Sequence, residues 1–213
     1  MRTTGFVVLL LTMVGLALAA VLDRTGRELA PAGAKIARDT AEATFAGGCF
    51  WCVEEAFDAV PGVVSTTSGY TGGQTRDPSY EEVSSGGTGH AEAVRVVYDA
   101  EVTTYAKLLD TFWRNIDPTD GGGQFCDRGD SYRSAIFTHG EEQGRLAEAS
   151  KRALEESGRF DKPIATEIVP AGRFYEAESY HQDYYRNNPT RYKLYKWNCR
   201  RAQRLEQIWG EKP

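Results

Sequence analysis

Histidine, cysteine and methionine are scarce in this 213-residue chain, at three, four and two copies. The histidines are scattered, and no cysteine pair is followed by a second at finger spacing, so no metal site is expected. Lysine and arginine number 25 against 30 acidic residues, a formal net charge of −5. That mild acidity argues against nucleic acid as a main partner. No low-complexity tract or internal repeat is visible. Charge is nearly absent from residues 1–22, where Arg2 stands alone and Phe6 to Ala20 is almost wholly apolar. Ala17-Leu18-Ala19 before Ala20 fits a small-residue cleavage site, which favours an export signal peptide. Thr3 to Leu22 also has about the length of one membrane span, so an N-terminal anchor is the alternative. Either reading puts the functional part outside the cytoplasm, periplasmic or extracellular. Loss of Arg2 with the signal would move the net charge from −5 to −6.

Residues 23–40 are rich in Ala, Arg and Asp without an apolar stripe and read as a linker. Residues 41–213 suit one domain, large enough for its own core and expected to be a monomer. Arg200, Arg201 and Arg204 read as one solvated helix face. Four cysteines in an exported domain could form two structural disulfides. A domain of this size does not need such staples, so redox use stays open.

What is present concentrates at residues 44–57, Thr-Phe-Ala-Gly-Gly-Cys-Phe-Trp-Cys-Val-Glu-Glu-Ala-Phe. A short apolar run ends at Gly47 and Gly48. Val53, Ala56 and Phe57 then recur at helical spacing. Cys49 would sit on the first turn of that helix, where free N–H groups and the positive dipole end favour a thiolate. Phe50 and Trp51 offer flat apolar walls beside the sulfur. The plainer reading is a core helix that happens to carry two cysteines.

Further along, residues 62–67 read as a strand, followed by the glycine-rich 69–73 loop and a turn-rich stretch at 84–90. His90 to Asp99 alternates as a strand. Thr103 or Thr104 caps a helix carrying Tyr105, Leu108, Leu109 and Phe112. Tyr132 to Phe137 reads as a strand, then a helix over 141–157, a strand over 165–169 and C-terminal helical segments. The fold class is α/β (α+β), a ferredoxin-like two-layer sandwich with a β-α-β-β-α-β core and a C-terminal helical extension.

In the 90–99 strand, Glu92, Val94, Val96 and Tyr98 share one face, and Ala91, Ala93, Arg95 and Val97 the other. Either face could be the buried one. If the first is, desolvation keeps the Glu92 carboxyl protonated and suited to donate a proton. Otherwise Glu92 merely ends an exposed strand. His90 reads as a strand-start residue without a catalytic role. Tyr80, Tyr132, Asp127 and His181 are weaker candidates; phenols can hydrogen-bond a substrate oxygen and an aspartate can orient them.

Gly-Gly-Cys-Phe-Trp at 47–51, Gly-Tyr-Thr-Gly-Gly at 69–73, Gly-Thr-Gly-His-Ala-Glu at 87–92, Asp-Arg-Gly with Tyr-Arg-Ser at 127–134, and Tyr-His-Gln-Asp-Tyr at 180–184 together resemble the type A peptide methionine sulfoxide reductases. The resemblance covers about residues 43–192. It implies reduction of the S epimer of methionine sulfoxide, free or in proteins. Cys49 would attack the sulfoxide sulfur, and Glu92 would give its proton to the oxygen. Tyr80 and Tyr132 would help, Asp127 would support the polar network, and Phe50 and Trp51 would hold the substrate methyl group. Cys49 is left as a sulfenic acid. No metal or organic cofactor is implied, because electrons come from a thioredoxin-like protein or another thiol.

Regeneration departs from the family pattern. Many relatives carry Gly where Cys52 stands and Asn where Cys126 stands, and many have a glycine-rich cysteine-bearing tail that this chain lacks. The resolving thiol is therefore open among Cys52, Cys199 and Cys126, with the first two favoured. A Cys126–Cys199 staple that never turns over is the structural alternative. Judged on Cys49-Phe-Trp-Cys52 alone, an exported thiol–disulfide oxidoreductase is the rival activity. An exported binding module with two fixed bridges is the rival without catalysis.

Overall fold

The computed structural model describes residues 39–210. The signal or anchor reading of 1–22, and all but the end of the 23–40 linker, lie outside the described residues. Thr40 already belongs to the first strand.

In chain order the elements are β1 (Thr40–Gly47), α1 (Phe50–Asp58), β2 (Val63–Thr71), α2 (Tyr80–Ser85), β3 (Ala91–Asp99), α3 (Tyr105–Arg114), β4 (Gly123–Gln124), β5 (Asp127–Arg128), β6 (Ser134–Thr138), α4 (Glu141–Glu156), β7 (Glu167–Pro170), β8 (Tyr175–Glu176), α5 (Tyr184–Asn187), α6 (Pro189–Asn198) and α7 (Arg201–Trp209). One sheet runs β7-β6-β1-β3-β2-β8. Its centre, β6-β1-β3-β2, is antiparallel throughout and is the expected β-α-β-β-α-β core. β7 joins β6 in parallel at one edge, and β8 pairs with β2 at the other.

Local chemistry explains the helices. Tyr105, Leu108, Leu109, Phe112 and Trp113 form the buried stripe of α3, and the Thr104 side chain accepts the Lys107 N–H at its start. α2 forms where no helix is expected from the sequence, and Ser79 and Glu82 make the capping box that starts it. Phe45 of β1 stacks on Phe57 of α1 at 4.8 Å and on Phe112 of α3 at 5.2 Å, which joins the helical layer to the sheet.

The two faces of β3 are now distinguished. Glu92, Val94, Val96 and Tyr98 are buried. Ala91 and Ala93 meet Ala46, Ala135 and Phe137 in a smaller cluster on the opposite side, where the Arg95 guanidinium lies 4.9 Å over the Phe174 ring. His90 is structural: its Nδ1 accepts the Gly73 N–H at 3.1 Å, and Nε2 meets the Thr75 carbonyl at 2.8 Å. Among the described residues, no helix is long and apolar enough to cross a membrane.

Candidate active site

Gly48 turns the chain from β1 into α1 with φ +80°, a conformation glycine adopts at little cost. A Cβ there would lie 2.5 Å from the Cβ of Gln124, so the absence of a side chain lets the β4–β5 hairpin close on this turn. The buried Gln124 amide clamps Asp117, accepting its N–H and donating to its carbonyl, both at 2.8 Å. The hairpin that carries Cys126 and Asp127 is thereby fixed beside the start of α1.

Cys49 is the N-cap of α1, and its carbonyl accepts the Cys52 N–H at 3.0 Å. Both sulfurs are unbridged and buried. The expected thiolate at Cys49 does not survive that burial. Desolvation first, then a hydrogen bond with Cys52 and the repulsion of that sulfur, push the Cys49 thiol well above its ordinary value. The bond from Cys49 pulls Cys52 down to about 6 against its own burial, helped by Arg201, Tyr192 and Lys196. Burial and mutual repulsion keep the two sulfurs from ionising together. A helix terminus favours an anion only modestly, and complete burial of the sulfur outweighs it.

Glu92 faces Tyr70 across the β2–β3 ladder, and its Oε2 accepts the Phe50 N–H at 3.0 Å. Burial raises the carboxyl to about 8, partly opposed by that N–H, with the charges of Asp127 and Cys52 adding to the rise. It is therefore mostly protonated at neutral pH. Tyr80 opens α2, and Tyr132 closes the 3-10 turn Asp130–Tyr132. The Tyr132 hydroxyl partly opposes the rise of the Tyr80 phenol. Burial first, then the charge of Glu92, raises both phenols, so both keep their protons.

The two aromatics that follow Cys49 differ in exposure. Phe50 is almost wholly buried and packs on His181 at 4.9 Å and Tyr70 at 6.0 Å. Trp51 stacks on Tyr184 at 3.7 Å with the planes 8° apart, and its indole N–H donates to His181 Nδ1 at 3.1 Å. His181 also packs on Tyr80 at 4.5 Å. Its role is to hold Trp51, and burial lowers its pKa and keeps the ring neutral.

The C-terminal helices complete the site. Asp58 accepts the Tyr185 hydroxyl and pairs with Arg186, while Glu55 accepts the Tyr192 hydroxyl and Lys196. Tyr195 donates to Asp127 and stands edge-on to Trp51, with ring centroids 5.9 Å apart. Tyr192 and Tyr195 of α6 and Cys199 at its C-cap follow helical spacing, a signal present in the sequence. Cys126 and Cys199 are joined in a disulfide with Cα atoms 4.9 Å apart, so Cys52 is the reduced neighbour of Cys49. Among the described residues, Cys126, Asp127 and Cys199 are the one group of metal-ligating type that converges, and its two sulfurs are bonded to each other. Of the arginines expected on one solvated face, Arg200 and Arg204 are exposed and Arg201 is not. Arg201 is buried, 4.3 Å over the Phe125 ring, and Arg204 pairs with Asp117 at 2.6 Å.

A ferredoxin-like sheet carrying a reduced cysteine pair beside a protonated carboxyl and two phenols defines a cysteine-based oxidoreductase. A family model described as peptide methionine sulfoxide reductase matches residues 41–213. The chain is 56% identical over 170 residues to the peptide methionine sulfoxide reductase MsrA of Bacillus licheniformis, a match covering 80% of this chain and 94% of that protein. With the Bacillus subtilis protein of the same name it shares 55% identity, over 80% of this chain and 96% of the other. Among solved structures it is similar to methionine sulfoxide reductase A of Corynebacterium diphtheriae, with TM-score 0.64, 39% identity and coverage of 70% and 76%. It also matches reduced Mxr1 of Saccharomyces cerevisiae, with TM-score 0.65, 30% identity and coverage of 81% and 91%. The chain belongs to the peptide methionine sulfoxide reductase family and is an oxidoreductase that reduces methionine sulfoxide. These relatives do not favour the thiol–disulfide oxidoreductase alternative.

Proposed function

We propose that the domain reduces the S epimer of methionine sulfoxide, protein-bound or free, with Cys49 as nucleophile and Cys52 as resolving thiol. Cys49 passes its proton to Cys52 across their hydrogen bond, and the Cys49 thiolate attacks the sulfoxide sulfur. Glu92 gives a proton to the sulfoxide oxygen, and Tyr80 and Tyr132 donate hydrogen bonds to it. The S–O bond breaks as oxygen transfers to Cys49, methionine leaves reduced by two electrons, and Cys49 becomes a sulfenic acid. Cys52 then attacks that sulfenic sulfur, water departs, and a Cys49–Cys52 disulfide remains. A dithiol returns two electrons and two protons, so the cycle needs no metal or organic cofactor. A thioredoxin-like protein is the reductant we favour.

The meeting of Cys49, Cys52 and the Glu92 carboxyl within one turn of α1 carries this reading. Trp51 presents the apolar wall for the substrate methyl group, with Phe50 as its buried support. Residues 1–22 serve export, by cleavage or as an anchor, and the domain works as a monomer in the periplasm or outside the cell. The Cys126–Cys199 disulfide supports that placement, because such bridges persist in oxidising compartments.

Assay against the two resolved sulfoxide epimers tests the reading. The S epimer should be consumed and the R epimer spared. Cys49→Ser should abolish reduction, and Cys52→Ser should allow one turnover without a second. Equal loss of the first turnover in both variants would overturn the division of labour.

A further inference from the structure

Tyr195 belongs to neither of the residue groups that the reading above uses, yet it stands between them. Its hydroxyl donates to Asp127, its ring meets the edge of Trp51, and its phenol is placed to pull the Cys49 thiol down against burial. Trp51, Tyr184, Leu194, Tyr195, Cys126 and Cys199 line one open cleft of about 470 Å³. The disulfide binds together the same two segments as the Tyr195–Asp127 hydrogen bond. Cys126 precedes Asp127 in the hairpin, and Cys199 follows Tyr195 by one turn of α6. Arg201, packed on Phe125, adds a third tie between these segments.

Resting on the assignment of Cys49 as nucleophile, we propose that Tyr195 is a further catalytic residue, a phenol that turns from Asp127 to Cys49 when that sulfur becomes an anion, and that the Cys126–Cys199 disulfide is the brace holding it there. A phenol has one proton to donate. While Asp127 takes it, the Tyr195 oxygen can only accept from the protonated Cys49. Once Cys49 ionises, rotation of the hydroxyl points its O–H at the sulfur and stabilises the thiolate by a charge-assisted bond. Asp127 can release the hydroxyl because burial raises its own carboxyl, so it can take up a proton when the phenol leaves. Burial and the neighbouring acids push the Tyr195 phenol far up, which keeps it a donor throughout. The brace is suited to redox control, since Cys126 is exposed while Cys49 and Cys52 are buried.

The test is the pH dependence of iodoacetamide reaction at Cys49, resolved by peptide mass spectrometry in the full chain with the active-site pair reduced. Tyr195→Phe keeps the ring and should move the Cys49 midpoint up by roughly one unit. Asp127→Ala removes the competing acceptor, frees the hydroxyl to serve the sulfur and should move it down. A packing role alone would move both variants in one direction or neither. An unchanged midpoint in Tyr195→Phe, with the native circular dichroism spectrum retained, overturns the proposal. Stronger reduction of the wild-type chain to four thiols supplies a second measurement without mutation. The Cys49 midpoint should rise when the Cys126–Cys199 bond opens, and an identical midpoint overturns the brace. Sulfoxide turnover measured alongside separates the two ideas: shifted midpoints without sulfoxide reduction would sink the proposed reaction and leave Tyr195 in its role.

Discussion

Glu92 accepts the backbone N–H of Phe50, the residue directly after Cys49, at a distance of 3.0 Å. This bond holds a strand carboxyl against the first turn of α1 and occupies one of its two oxygens. The other oxygen is left to carry the proton that burial favours.

Glu92 should therefore act as an acid below about pH 8 and fail above it. The single-turnover rate should fall as pH rises through that value. Glu92→Gln should lower it by about 10²–10⁴-fold and remove that limb of the profile, read by rapid quench. Stability follows the same sign. The folded carboxyl, at about 8, binds its proton more tightly than an unfolded one near ~4.3, so stability is greatest below ~4.3 and is lost up to the folded value. Urea midpoints at acidic and alkaline pH should show this decline in wild type and a smaller one in Glu92→Gln.

Cys52 owes its low pKa, about 6, first to the hydrogen bond from Cys49. Cys49→Ala removes that donor and leaves the burial. The alkylation midpoint of Cys52 should climb by roughly one unit, and an unmoved midpoint would show that Arg201, Tyr192 and Lys196 suffice alone.

His181→Leu strips the acceptor from the Trp51 indole N–H. An unpaired donor there should cost about 1–3 kcal/mol in denaturant unfolding. With its ring no longer held, Trp51 should bind the sulfoxide more weakly, so KM rises more than kcat falls.

Gly48→Ala puts a side chain at φ +80° and against Gln124. Thermal unfolding should show a loss of about 1–3 kcal/mol from backbone strain alone. The hairpin carrying Asp127 must also shift, so activity should fall although no reacting group is altered.

Much of this was legible in residue order. Val53 and Phe57 after Cys49, and the Tyr105–Phe112 stripe, have helical periods that local sterics impose, and both are helices. α2 has a local signal too, in the Ser79 and Glu82 capping box. Other features had no local signal. The β3 pattern offered two faces of similar character, and Glu92 became buried because α1 and α3 cover its side of the sheet. Arg201 looked like a surface cation until the hairpin brought Phe125 beneath it.

The sequence by itself determined the order of the core strands and helices, the cysteine pair at the head of α1 and the family to which the chain belongs, because each is written in neighbouring residues and short periods. Tertiary structure alone decided that Cys126 meets Cys199 across 73 positions and that Tyr195 reaches Asp127. It also decided that Cys49 is buried deeply enough for desolvation to push its thiol up. Those outcomes depend on which surfaces pack together and how completely they exclude water, and no local period encodes either.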